Sequence, residues 1–129
     1  MMRERRKRGG GLGAAARLRI AARAKVAKAM AHPSRLAVVE RLARGPACVC
    51  DLTALVGADI STVSRHLSIL KAAGIVADER KGSWVHYRLR CPCVVRFLDC
   101  VEAVVREAGN GGADRVSGGG ARRRGGRTR

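Results

Sequence analysis

The sequence predicts a mainly α-helical domain with a small β-wing: a winged helix-turn-helix carrying extra N- and C-terminal dimerisation helices. Three observations predict it. Two helical segments meet at a tight turn at Gly57, and the second opens on short polar and basic residues. Two β-compatible runs follow, with Lys81-Gly82 as a hairpin turn between them. Apolar residues at helical spacing flank this block on both sides.

Each element is then read in order. Leu18, Ala21, Ala22, Val26, Ala29 and Met30 recur at helical spacing and predict a first helix. His32 caps a second, with Pro33 suited to its first position; it buries Leu36, Val39 and Leu42 and ends at Gly45-Pro46. Ala47-Cys48-Val49-Cys50 reads as a short strand, and Asp51 as the N-cap of a brief helix Leu52–Val56. The next helix starts between Asp59 and Ser61 and stops at Gly74. It is expected to bury Val63, Leu67 and Leu70 and to expose Ser61, Thr62, Ser64, Arg65, His66 and Lys71. Residues 75–80 and 83–89 are the wing strands. After Cys91-Pro92-Cys93 a last helix runs to about Ala108 with an apolar stripe of Val94, Phe97/Leu98, Val101 and Val104/Val105. A terminal apolar helix on so small a domain is expected to pack on a twin, making a homodimer.

Charge divides the chain differently. The net charge is +17, from 27 Lys+Arg against 10 Asp+Glu. Residues 1–23 contribute +7, residues 109–129 contribute +5, and the middle keeps +5. The expected organisation is therefore a basic disordered arm at 1–16, the winged domain at 17–108, and a Gly/Arg-rich disordered tail at 109–129. Tracts such as Arg122-Arg123-Arg124-Gly125-Gly126-Arg127 cannot bury enough apolar surface to offset the entropy of ordering. So basic a chain points to a polyanion, because each phosphate it neutralises releases counterions. Aromatic residues are nearly absent, which argues against single strands held by base stacking. No run approaches the ~20 apolar residues of a membrane span, and Gly9-Gly10-Gly11 interrupts any export signal. The expected address is the cytoplasm, with no membrane partner.

Five cysteines without an export signal argue against a disulfide framework. Four of them form two Cys-x-Cys pairs, Cys48/Cys50 and Cys91/Cys93. In a strand, Cys48 and Cys50 would share one face about 6.6 Å apart along the chain. Such a pair serves either as small buried apolar side chains or as soft ligands.

At this point the sequence resembles the ArsR/SmtB family of metal-sensing repressors, over about Val26 to Val105. The segments carrying the resemblance are Ala31-His32-Pro33-Ser34-Arg35-Leu36, Cys48-Val49-Cys50-Asp51-Leu52, Ser61 through Val76, and the wing Arg80 through Leu89. The resemblance implies a dimer that occupies its own double-stranded operator DNA and lets go when an ion binds. It also implies that Cys48 and Cys50 are ligands. One position departs: arsenic sensors of the best-known type carry a third cysteine after Asp-Leu, and this chain has Thr53. The stretch 91–108 also lacks the histidines of the family's zinc site.

Cys91 and Cys93 then become the further donors, with Cys100 packing near the dimer interface. The short strand would lie alongside His86–Leu89, close to Cys91, and Arg88, Arg90 and Arg96 would favour thiolates. Three thiolates suit As(III) or Sb(III), and four suit cadmium, lead or zinc. No organic cofactor is expected. Ser61, Thr62, Ser64, Arg65 and His66 would enter the major groove, while Lys71, Arg80, Lys81 and Arg88 contact phosphates. His32, His66 and His86 read as structural or phosphate-contacting residues rather than ligands. No nucleophile–base–orienter set is present, so the chain reads as a non-enzyme. The rival readings are a Cd/Pb/Zn-responsive repressor, a thiol-redox repressor switched at Cys91/Cys93, and an architectural nucleic-acid binder with structural zinc.

Overall fold

Among the described residues, 10–116, the computed structural model arranges five helices and a three-stranded sheet in the order of a winged helix. Residues 1–9 and 117–129, which make up most of the expected arms, lie outside the described residues. The described chain falls into two units, one ending at Cys91 and the other starting at Pro92.

Helix α1 (Ala14–Met30) begins four residues before the expected Leu18. Only Ala29 and Met30 are buried, and Leu18 is exposed. Helix α2 (Pro33–Leu42) opens as expected: His32 Nδ1 accepts the Ser34 N–H at 3.0 Å, and Pro33 occupies the first position. Its buried face is Val38, Val39 and Leu42, so Val38 takes the place expected for Leu36, which is only half-buried.

The Cys-x-Cys segment departs from expectation. The strand β1 is only Ala47–Cys48, and helix α3 (Val49–Val56) starts at once. The cause is local. Cys48 Sγ accepts the Asp51 N–H at 3.3 Å and so performs the N-capping expected of Asp51. Cys50 consequently lies in the first helical turn instead of on a strand. Gly57 ends α3 at φ 76°, its N–H donating to Thr53 O.

Helix α4 (Ile60–Ala72) is capped by Asp59, whose carboxylate accepts the Thr62 N–H at 2.8 Å. Hydrogen bonds from Thr62 hold that carboxyl below its usual range. Val63, Leu67 and Leu70 are buried as expected, and His66 is buried with them. Strands β2 (Val76–Lys81) and β3 (Trp84–Leu89) form the wing, closed one residue later than expected through Gly82-Ser83, with Gly82 at φ 65°. The sheet is antiparallel in the order β1-β3-β2, with Ala47 opposite Tyr87 and Cys48 opposite His86.

Leu52, Leu67, Leu70, Val38, Val39, Val63 and Val76 are almost wholly removed from water and form the core where α2, α3, α4 and β2 meet. Each such side chain contributes about 1.5–3 kcal/mol. Helix α5 (Val94–Val116) makes up the second unit and continues past the expected end near Ala108. It leaves Phe97, Val101, Val104 and Val105 of the apolar stripe exposed. No helix among the described residues is long and apolar enough to cross a membrane.

Candidate functional site

The exposed side of α4 is the first candidate surface. Ser61, Thr62, Ser64 and Arg65 are all exposed at its N-terminal end. Ser61 Oγ also donates to Asp59 Oδ1 at 3.3 Å, which steadies the first turn. His66, expected to be exposed beside them, is buried, and that expectation is corrected. Its Nδ1 accepts from Arg35 Nε at 3.1 Å, and its ring lies 4.5 Å from that of His32. Burial, then the neighbouring His32 and Arg35, push the His66 pKa down. An Nδ1 that accepts from a guanidinium belongs to a neutral ring with its proton on Nε2.

Arg35 is the residue that sequence reasoning missed. Besides holding His66 it donates from Nη1 to Ala29 O at 3.1 Å, so one guanidinium joins the end of α1, α2 and α4. Its partner is 31 residues away, and no local pattern announces that pairing.

The expected phosphate-contacting cations divide. Lys71 is exposed but engaged, with its Nζ 3.0 Å from Asp78 Oδ1 on β2. This ion pair raises the Lys71 pKa and lowers that of Asp78. Arg80, Lys81 and Arg88 are exposed on the wing. The register pairs Arg88 with Ala77 and Lys81 with Trp84, whereas Arg80 pairs with Val85. Arg88 and Lys81 therefore share one face of the hairpin and Arg80 takes the other.

The second candidate is the start of α3. Cys48 and Cys50 are joined by a disulfide, with their Cα atoms 5.3 Å apart. Their sulfurs and the Asp51 carboxylate lie within 4.8 Å of one another. Reduced, the pair would offer two thiols at a helix N-terminus, where the helix dipole and the Asp51 N–H favour thiolate. Thr53, standing where the resemblance implies a third thiol, spends its hydroxyl proton on Val49 O at 2.7 Å and offers no soft donor. His86 lies opposite Cys48, and its Nδ1 is buried with no hydrogen-bond partner among the described residues. Cys91 closes the first unit, while Cys93 and Cys100 belong to the second; all three are exposed.

Comparison with known proteins agrees with this arrangement. Residues 32–78 match the profile of bacterial regulatory proteins of the arsR family. The arsenic resistance transcriptional regulator ArsR1 of Pseudomonas putida is 42% identical over 77 residues, which is 59% of each chain. The homodimeric winged helix-turn-helix DNA-binding domain of a possible ArsR-family regulator from Mycobacterium bovis superposes with a TM-score of 0.67 at 30% identity. That match covers 76% of this chain and 91% of the other. The antimony-specific transcriptional repressor AntR matches at 37% identity and a TM-score of 0.56, over 66% of this chain and 78% of its own. The chain spans between 54% and 60% of the length of the first curated relatives it matches.

Proposed function

This chain belongs to the arsR family of bacterial regulatory proteins, and from that premise we propose that it is a cytoplasmic repressor released from DNA by a thiophilic ion. It binds double-stranded operator DNA as a homodimer and has no enzymatic activity. Ser61, Thr62, Ser64 and Arg65 read base edges, while Arg80, Lys81 and Arg88 hold phosphates. Lys71 joins them by exchanging Asp78 for a phosphate. The apolar residues left exposed on α5 support the dimer, as does the homodimeric state of the Mycobacterium bovis domain.

The inducer is As(III) or Sb(III). The observation that carries this reading is the grouping of Cys48, Cys50 and Asp51 at the N-terminus of α3, which packs directly on α4. The ion-binding form is the dithiol, and Cys91, which closes the same unit, is the source of a third thiolate. An ion held there acts on the first helix of the reading pair. A small reorientation of α4 in both protomers then spoils the match to half-sites roughly 34 Å apart. A tenfold release needs only about 1.4 kcal/mol of difference in ion affinity between the free and DNA-bound forms.

The test is operator binding titrated with arsenite and antimonite under reducing conditions. Cys48→Ser and Cys50→Ser should bind the operator within about twofold of wild type and lose inducer-driven release, with Cys100→Ser least affected. Full response in both of the first two variants rejects the site. The Cys48–Cys50 disulfide favours a second reading, in which peroxide or a disulfide oxidant takes two electrons and two protons from the pair and itself drives release. Release by oxidant in a metal-free, chelator-treated sample separates the two.

A further inference from the structure

We propose that Arg35 is a positioning residue for operator recognition: it fixes α4 against α1 and α2 by donating to a neutral His66. This rests on the reading of α4 as the helix that contacts base edges, and adds a control from the buried side of that helix.

Val63, Leu67 and Leu70 bury the inner face of α4. Apolar burial holds a helix in place but is non-directional, whereas hydrogen bonds are directional and fix its rotation and height more closely. Arg35 supplies such bonds. Its Nε donates to His66 Nδ1 at 3.1 Å, and its Nη1 donates to Ala29 O at 3.1 Å. Ala29 lies in the last turn of α1, where carbonyls lack intrahelical partners and a cation is favoured. The planar guanidinium holds its two acceptors at a set separation, so α4 cannot shift against α1 without straining or breaking a bond. His32 backs the ring from the other helix start: the two ring centroids are 4.5 Å apart, and His32 Nδ1 is itself taken by the Ser34 N–H.

The same contact makes the seat of α4 sensitive to one proton. His66 Nδ1 accepts from Arg35 only while it carries no proton of its own. Burial opposes its protonation most, followed by His32 from the link between α1 and α2, Arg35 from α2, and Arg65 from α4 itself. Lys25 and Lys28 of α1 line the groove beside Arg35. All of these groups are cationic or become so as pH falls. A proton on His66 Nδ1 would set one N–H against another, end the bond to Arg35 and release α4 from its seat. The two reading helices of a dimer would then lose their match to the half-sites.

The sign of the effect is diagnostic. Protonation elsewhere adds positive charge and strengthens binding to any duplex. Loss of operator affinity on acidification, with random-sequence affinity kept, is what a displaced reading helix produces.

The test uses the reduced, full-length chain with a chelator present, so that no ion acts on the cysteines. Affinities for operator and for a random duplex are measured between about pH 8 and pH 5, with far-UV circular dichroism recorded alongside. Operator affinity of the wild-type protein should fall by about tenfold or more while random-duplex affinity does not fall. His66→Asn presents a carbonyl oxygen where Nδ1 stands and accepts from Arg35 at every pH. It should stay within about threefold of wild type at pH 8 and lose the fall. Arg35→Lys keeps the charge but not the fork, and should lose about tenfold in operator preference at pH 8 with random-duplex affinity unchanged.

The wild-type profile needs no variant, so a misfolded one would not shield the proposal. A flat or rising operator affinity on acidification, or a fall that follows loss of the helical signal, overturns the role of Arg35. So does the same fall in a folded His66→Asn, or wild-type preference in Arg35→Lys. Each of these leaves α4 standing as the reader. Full operator preference in Arg65→Ala and Ser64→Ala removes α4 as the reader and this inference with it.

Discussion

His66 shows how one side chain can be read correctly as to element and wrongly as to direction. Its place mid-helix beside Ser64 and Arg65 suggests an exposed reader, but it falls on the face shared with Val63, Leu67 and Leu70 and turns inward to Arg35. The consequence is measurable. His32, Arg35 and Arg65 are the charged or titratable groups that act on it, and burial opposes its protonation most. Its folded pKa is therefore depressed below the value of about 6.5 in the unfolded chain. The unfolded chain then binds more protons as pH falls. The stabilisation is full above about pH 6.5 and drains away as pH drops through that value towards the lowered folded pKa. We expect the Tm of the wild-type protein to fall across this window and the His66→Gln variant to lose that part of the fall. Parallel pH profiles for the two proteins would show that His66 does not couple protonation to stability.

At the level of elements, the turn between α3 and α4 carries a prediction. Gly57 adopts φ 76°, yet a Cβ built there meets nothing within 4 Å. Gly57→Ala should therefore destabilise by about 1 kcal/mol through backbone strain alone. Urea unfolding would measure it; a drop of several kcal/mol would mean that Gly57 also packs. The helices and the wing were legible because their signals are local: apolar spacing, Pro33 after a capping His32, and Gly57, Gly74 and Gly82 at reversals. The start of α3 was not, because Ala47-Cys48-Val49-Cys50 is β-compatible by composition. What decides it is a sulfur taking a cap expected of Asp51. The candidate site was legible as a list of residue types and only partly as a geometry. Pairing of β1 with β3 follows from the order of elements in a winged helix, and it places Cys48 at His86. The separation of Arg80 from Arg88 follows from strand alternation, whereas the place of Lys81 on a strand, sharing a face with Arg88, depends on the hairpin turn falling one residue later than the sequence suggests. The Arg35–His66 contact joins two helices through side chains alone, and periodicity carries no information about it.

For the whole molecule, the decisive quantity is charge. Ten of the 27 basic residues, Arg3, Arg5, Arg6, Lys7, Arg8, Arg122, Arg123, Arg124, Arg127 and Arg129, lie within 1–9 and 117–129. In the proposed reading the winged domain supplies the reading helix and a cationic hairpin, so these ten groups are expected to be dispensable for sequence recognition. Their contribution is counterion release, which strengthens binding to any duplex and weakens steeply with salt. Every phosphate that is no longer neutralised should reduce the slope of log K against log salt by about 0.9. Deleting residues 1–9 and 117–129 should therefore lower affinity at low salt, flatten the salt dependence, and leave the ratio of operator to random-sequence affinity unchanged. In the proposed reading α4 contacts the base edges, and the deletion leaves α4 whole, so specificity and affinity should separate cleanly in this experiment. If the ratio falls together with the affinity, the arms themselves read sequence. The narrow minor groove flanking the half-sites would then be where they do it, since arginine inserted there discriminates A·T from G·C tracts.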